Sequence, residues 1–136
     1  MRSKLSWKNG VIFFKEKPIG DFVKDKMLSC QYKLNEMMLC FEEQDLYKRQ
    51  IAIMDSDRKR VGMINRSRWT KRAKITLVDN REFELKPRSL LSNKYRLYAD
   101  QNVLMEFNKG MFKKGEINYI FQDETLILAG LYVLTD

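Results

Sequence analysis

The residues best placed to do chemistry in this chain are basic. Arg58-Lys-Arg60 is followed by Arg66-Ser-Arg-Trp-Thr-Lys-Arg72, the densest stretch of positive charge. Read as extended backbone, Arg68, Arg72 and Lys74 fall on one strand face, with Trp69 on the other among the core candidates. Guanidinium groups hold phosphate by paired hydrogen bonds and ammonium groups as point charges, so such a face suits an anionic ligand. Between Lys71 and Val78 the residues Ala73, Ile75 and Leu77 point one way and Arg72, Lys74 and Thr76 the other. A three-residue loop, Asp79-Asn80-Arg81, pairs Ile75 with Leu85 and Leu77 with Phe83, and so sets Lys74 opposite Lys86. Two lysines facing each other across a ladder are mildly destabilising unless an anion sits between them. Arg68, Arg72, Lys74 and Lys86 are the candidate anion-binding residues, each as a phosphate contact; the plainer alternative is that these long side chains splay into water.

Other chemistries lack their parts. The chain has no histidine, which removes the usual proton carrier near neutral pH and the commonest metal ligand. Cys30 and Cys40 therefore form neither a zinc tetrad nor a Cys–His nucleophile pair. They flank a turn around Leu34-Asn35-Glu36: a three-residue loop would set them opposite each other, a two-residue loop on opposite faces. Gly110-Met-Phe-Lys-Lys-Gly115 has the glycine spacing of a phosphate loop, but Glu116 stands where the phosphate-reaching lysine belongs, so a hairpin turn is expected. In Asp55-Ser-Asp-Arg-Lys-Arg60, Lys59 and Arg60 occupy the places where a calcium loop needs an oxygen ligand and a glycine. No catalytic residue, metal or cofactor is expected, and the function class is binding rather than catalysis. Tyr132 is the one polar handle on which an enzyme reading could rest.

These residues need a scaffold. At 136 residues the chain is one domain, spanning 1–136, and 26 Lys and Arg against 18 Asp and Glu give a net charge of +8, which makes polyanions the first partner class to consider. Eleven segments read as short strands: Val11–Phe14, Ile19–Val23, Leu28–Lys33, Met37–Glu42, Tyr47–Met54, Arg60–Asn65, Arg72–Val78, Glu82–Lys86, Tyr95–Ala99, Val103–Phe107 and Glu116–Phe121. Short strands at regular spacing with no helix between them indicate an all-β antiparallel sandwich or barrel. The stretch from Asp123 to Asp136 differs: Leu126, Ile127, Gly130, Leu131 and Leu134 make one helical stripe while Leu128, Ala129, Tyr132 and Val133 fill the other sides. A helix apolar all round must be buried all round. Asp123 as N-cap and Glu124 in the first turn favour a helix over a terminal buried strand. At roughly 18 Å it is too short for a bilayer core of about 30 Å.

The order of these features resembles the tubby C-terminal-like superfamily, which includes tubby domains, phospholipid scramblases and LURP-one-related proteins, with short bacterial members. The resemblance is carried by Asp55-Ser-Asp57 before Val61-Gly-Met-Ile64, then Trp69, the hairpin from Ile75 to Leu85, Leu97-Tyr-Ala-Asp100, Gly115-Glu-Ile117 and the apolar run Leu126 to Leu134. It implies a closed antiparallel β-barrel with a hydrophobic C-terminal helix through its centre. It also implies phosphoinositide-type head-group binding by strand-borne basic residues, to which Arg68, Arg72, Lys74 and Lys86 are similar in kind. The expected partner is an anionic phospholipid surface or another phosphate-bearing ligand, bound peripherally and not by membrane spanning. Val11-Ile-Phe-Phe14 is too short for a signal-peptide core, so a cytoplasmic location is expected. Two alternatives stand beside this: a protein-interaction module whose charge serves solubility, and a nucleic-acid binder using Trp69, Tyr95 or Tyr98 as stacking platforms.

Overall fold

Period-two alternation of apolar and polar residues dominates the chain, and strands follow from it. The computed structural model describes residues 3–23, 30–45, 47, 49–67, 70–89, 91–120 and 122–135. Among them run β1 (Ser3–Lys8), β2 (Val11–Phe14), β3 (Lys17–Val23), β4 (Cys30–Leu34), β5 (Met37–Glu43) and β6 (Gln50–Met54). They are followed by β7 (Arg60–Arg66), β8 (Ala73–Leu77), β9 (Glu82–Pro87), β10 (Lys94–Ala99), β11 (Asn102–Lys109) and β12 (Lys114–Tyr119), and then by α1 (Glu124–Thr135). Each strand pairs antiparallel with the next, and β1 closes the ring on β12 from Ser3↔Tyr119 to Lys8↔Lys114. Closure leaves no strand edge to recruit another chain.

Alternation decides what the ring encloses. Leu5 and Trp7, Tyr32 and Leu34, Ile51 and Ile53, and Ile75 and Leu77 all point inward and are buried. The intervening positions, among them Lys4, Ser6, Gln31, Lys33, Lys74 and Glu116, carry polar and charged side chains outward. A membrane-spanning barrel has the inverse pattern, apolar outside and polar within. Among the described residues, no helix is long and apolar enough to cross a membrane.

The apolar interior is filled by α1. Asp123 caps it, its Oδ1 accepting the Leu126 N–H at 3.1 Å, and Asn35 Nδ2 donates to Glu124 Oε2 at 3.1 Å. From Leu126 to Tyr132 every residue is buried, whichever face it occupies, because the ring surrounds the helix. Contact is close enough to exclude a methyl group: a Cβ on Gly130 would lie 2.4 Å from Phe107 Cζ. Tyr132 stacks on Phe41 with centroids 4.5 Å apart, and Tyr32 meets Tyr132 edge-on at 5.8 Å and stacks on Phe22 at 4.7 Å. Thr135 Oγ1 donates to Leu131 O at 2.6 Å, so the 2.7 Å contact with Tyr32 has the Tyr32 hydroxyl as donor. Barrel and helix thus share one continuous core.

Three local expectations are corrected, and the open choice at the β4–β5 turn is resolved. β1 is a strand that its composition hides, because only Leu5 and Trp7 face inward and Lys4, Ser6 and Lys8 face out. β6 starts at Gln50 rather than Tyr47, because Asp45 Oδ1 accepts the N–H groups of Arg49 and Gln50 and holds that stretch as a loop. The β8–β9 hairpin pairs Ala73 with Leu85, Lys74 with Glu84 and Ile75 with Phe83. Its loop covers 78–80 instead of 79–81, with Leu77 N–H bonded to Arg81 O at 2.9 Å. The apolar face is unchanged by that two-residue slip, but Lys74 no longer faces Lys86. The β4–β5 turn is the two-residue Asn35-Glu36, so Cys30 faces the core and Cys40 the outer wall, and a disulfide between them is geometrically excluded. The segment expected to start β4 at Leu28 lies partly outside the described residues.

Candidate anion-binding surface

In an up-and-down barrel the connections alternate between two ends, and here the ends differ in chemistry. At the end where α1 enters, the described turns carry Glu16, Glu36, Asp55, Asp57, Asp79, Asp100 and Asp123 against Lys15, Arg58, Lys59 and Arg81. Several of those acids shape the turns. Asp55 Oδ1 accepts from the N–H groups of Asp57 and Lys59, both at 2.9 Å, which closes the turn on itself. Asp79 accepts from the Arg81 backbone at 3.2 Å and from Arg81 Nε at 2.6 Å. Partial desolvation pushes the Asp79 carboxyl up, but these Arg81 contacts outweigh it and hold the group below its ordinary value.

The end where α1 finishes is basic. Its described loops hold Arg49, Lys71, Arg72, Arg88 and Lys113 against Asp45 alone, and the strand ends bordering them add Lys8, Arg66, Lys94, Lys109 and Lys114 against Glu43. Large apolar side chains stand exposed among these charges: Tyr47, Leu91 at 97%, Met111 at 72% and Phe112 at 80%. The acidic end also exposes Val78 and Ile120, so the distinguishing property is the charge and its juxtaposition with apolar tips.

The candidate residues of the sequence divide between this end and the wall below it. Arg72 is exposed in the loop between β7 and β8, its carbonyl accepting the Ser67 N–H at 2.9 Å. Lys74, at the start of β8, pairs with Glu82 at 3.1 Å. Lys86, near the end of β9, pairs with Glu84 at 3.3 Å and lies 4.7 Å over the Tyr98 ring. Arg68 and its neighbour Trp69 lie outside the described residues. The structure thus brings Lys74 and Lys86 to adjacent strands, but each already has a carboxylate. One strand further on, Arg96 Nε donates to Glu106 Oε2 at 2.9 Å, and the Glu106 contact, followed by Tyr98, holds the guanidinium above its ordinary value.

An uncompensated like-charge pair does exist, at the barrel seam. Lys8 on β1 faces Lys114 on β12 across the ladder. Lys109 and Lys113 lie beside them on the β11–β12 hairpin, and none of these four lysines has an ion-pair partner among the described residues. The hairpin is built for this display. Gly110 N–H bonds Lys114 O at 2.8 Å, Asn9 N–H bonds Lys113 O at 3.0 Å, and Phe112 and Lys113 hold left-handed φ values of 59° and 58°. Beneath the tip lies a cavity of about 490 Å³, floored by Trp7, Phe22 and Leu134 and rimmed by Lys109, Lys113 and Lys114. Gly115 makes room for its floor: a Cβ there would lie 2.3 Å from the Trp7 ring. Sequence pattern misses this cluster because Lys8 and Lys114 meet only through closure of the ring. The glycine pair at 110 and 115 was the available signal, and it does mark a hairpin. Comparison with protein-family models, with curated proteins and with solved structures finds no match to this chain.

Proposed function

We propose that this protein is a non-enzymatic binding module of the tubby C-terminal-like kind that docks peripherally on anionic phospholipid head groups through the basic end of its barrel. The observation that carries this is the axial division of charge: acids concentrated in the turns where the helix enters, and, where it finishes, an excess of basic residues that includes Lys8, Lys109, Lys113 and Lys114, which lack ion-pair partners among the described residues. A rigid, edge-free barrel presents that end as a single surface, so its charges act on a flat polyanion together. Each basic side chain near an anionic leaflet contributes about 1 kcal/mol of attraction, and screening over roughly 8 Å at physiological salt limits it. Arg72, with Lys109, Lys113 and Lys114, supplies the contacts, while Lys74 and Lys86 form the paired flank. Architecture supports the family reading, since a closed antiparallel barrel around a hydrophobic helix is what the resemblance implies. Stacking of nucleic-acid bases is less well served: Tyr95 is buried, and the half-buried Tyr98 is capped by Lys86.

Sedimentation with phosphatidylcholine vesicles, with and without phosphatidylglycerol, tests the reading. Pelleting only with the anionic vesicles, and falling steeply as salt is raised, is the expected result. If low salt gives no anionic preference, the basic end is merely solvated and a protein-interaction role takes precedence.

A further inference from the structure

We infer that the β11–β12 hairpin is a membrane-insertion wedge, in which Met111 and Phe112 enter the head-group and acyl boundary of an anionic bilayer while Lys109, Lys113 and Lys114 hold lipid phosphates at its surface. The inference rests on the lipid-docking reading above and specifies which element penetrates.

Three observations converge on the hairpin tip. Adjacent Met111 and Phe112 are 72% and 80% exposed, whereas Met105, Phe107, Ile117 and Tyr119 on the two strands of the hairpin are buried in the core. Single exposed apolar residues are ordinary; two adjacent ones at the outermost point of a turn are a small apolar prow. The tip is also held in place: left-handed φ at Phe112 and Lys113 is an unfavourable conformation for side chains of this size, kept by the Gly110–Lys114 and Asn9–Lys113 backbone bonds. The conformation turns both apolar groups outward without needing to reorganise on binding.

Charge complementarity identifies the occupant. Lys109, Lys113 and Lys114 flank the apolar pair in sequence, and each lacks an ion-pair partner among the described residues. An apolar tip collared by unpaired lysines matches the layered chemistry of an anionic leaflet, phosphates outside and acyl chains within. Leu91, on the adjoining loop joined to the hairpin by the Lys109–Asn93 backbone bond, extends the apolar margin.

The wedge predicts an optical signal that charge attraction alone does not. Phe112→Trp is expected to show blue-shifted emission with phosphatidylglycerol-containing vesicles, and quenching by brominated acyl chains, beyond any change in the wild type. Met111→Ser with Phe112→Ser should weaken partitioning about tenfold or more, the scale set by withdrawing one large apolar side chain, and Phe112→Leu should restore much of the binding carried by that position. Melting temperatures of all variants should match the wild type, because Met111 and Phe112 are largely exposed and outside the core. Wild-type pelleting with no Phe112→Trp signal would overturn the wedge and leave the charge-driven docking intact. Absence of pelleting by the wild type at low salt would overturn both.

Discussion

Two patches of this barrel carry basic side chains and end in opposite electrostatic states. On the wall formed by β8, β9 and β10, three cations have an acid at hand: Lys74 with Glu82, Lys86 with Glu84, Arg96 with Glu106. At the seam formed by β1, β12 and β11, Lys8 faces Lys114, with Lys109 and Lys113 alongside and no acid paired to them among the described residues. Exposed ion pairs contribute little to stability, about 0–1 kcal/mol. They nevertheless cancel the field that a distant anion would sense. The density of basic residues in a sequence therefore says less about where the outward field is strong than the density of basic residues left over after local pairing.

Three experiments press on that contrast. The largest effect is expected from Lys109, Lys113 and Lys114 changed together to Ala: about 1 kcal/mol lost per lysine amounts to roughly a hundredfold fall in anionic-vesicle affinity. Lys74 and Lys86 changed to Ala should move the same sedimentation curve no more than about twofold, since two lysines already paired contribute little to the outward field. Equal losses from the two variants would erase the distinction between seam and wall. Next comes Gly115→Ala, which drives a methyl group into the Trp7 ring and within 2.5 Å of Asn108 O. Overpacking of this kind costs about 1–3 kcal/mol, and thermal unfolding should register it as a drop of several degrees. Gly110→Ala, whose nearest neighbour would be Lys114 O at 3.1 Å, should be milder. One change is a gain: Glu82→Gln with Glu84→Gln frees Lys74 and Lys86 on the wall and should raise vesicle affinity a few-fold, about 1 kcal/mol at most. A wall that stays inert after losing both acids would show that position, and not pairing, decides.

Much of the fold was legible because period-two alternation and turn residues are local. β2 was bounded correctly, and most other strands to within a residue or two. The helix declared itself by being apolar on all sides behind an Asp cap. What escaped was whatever depends on pairing between distant segments. A slip of two residues in the β8–β9 register preserves every inward side chain, so hydrophobic pattern could not separate Lys74 facing Lys86 from Lys74 facing Glu84, and the argument for an anion there went with the wrong choice. β1 offered only Leu5 and Trp7 as inward residues, too short an alternation to stand out in a basic segment. The Lys8–Lys114 pair joins residues more than a hundred positions apart, and only ring closure brings them together. Arg72, read as the first residue of a strand, lies instead in the loop just before β8 at the basic end, and the tip residues Met111 and Phe112 were read merely as part of a turn, since exposure is not visible in composition.

The position of the helix after all twelve strands has a consequence for how the chain reaches its native state in a cell. Ser3 must wait for Tyr119 before the ring can shut, and a ring shut around nothing would leave an apolar lumen unfilled until Leu126 to Leu134 arrive. Chains are made N-terminus first, and β topologies with distant partners fold slowly. Strands emerging from the ribosome would therefore keep their apolar faces uncovered until Leu126 to Leu134 follow and act as the keystone that makes the whole ring stable at once.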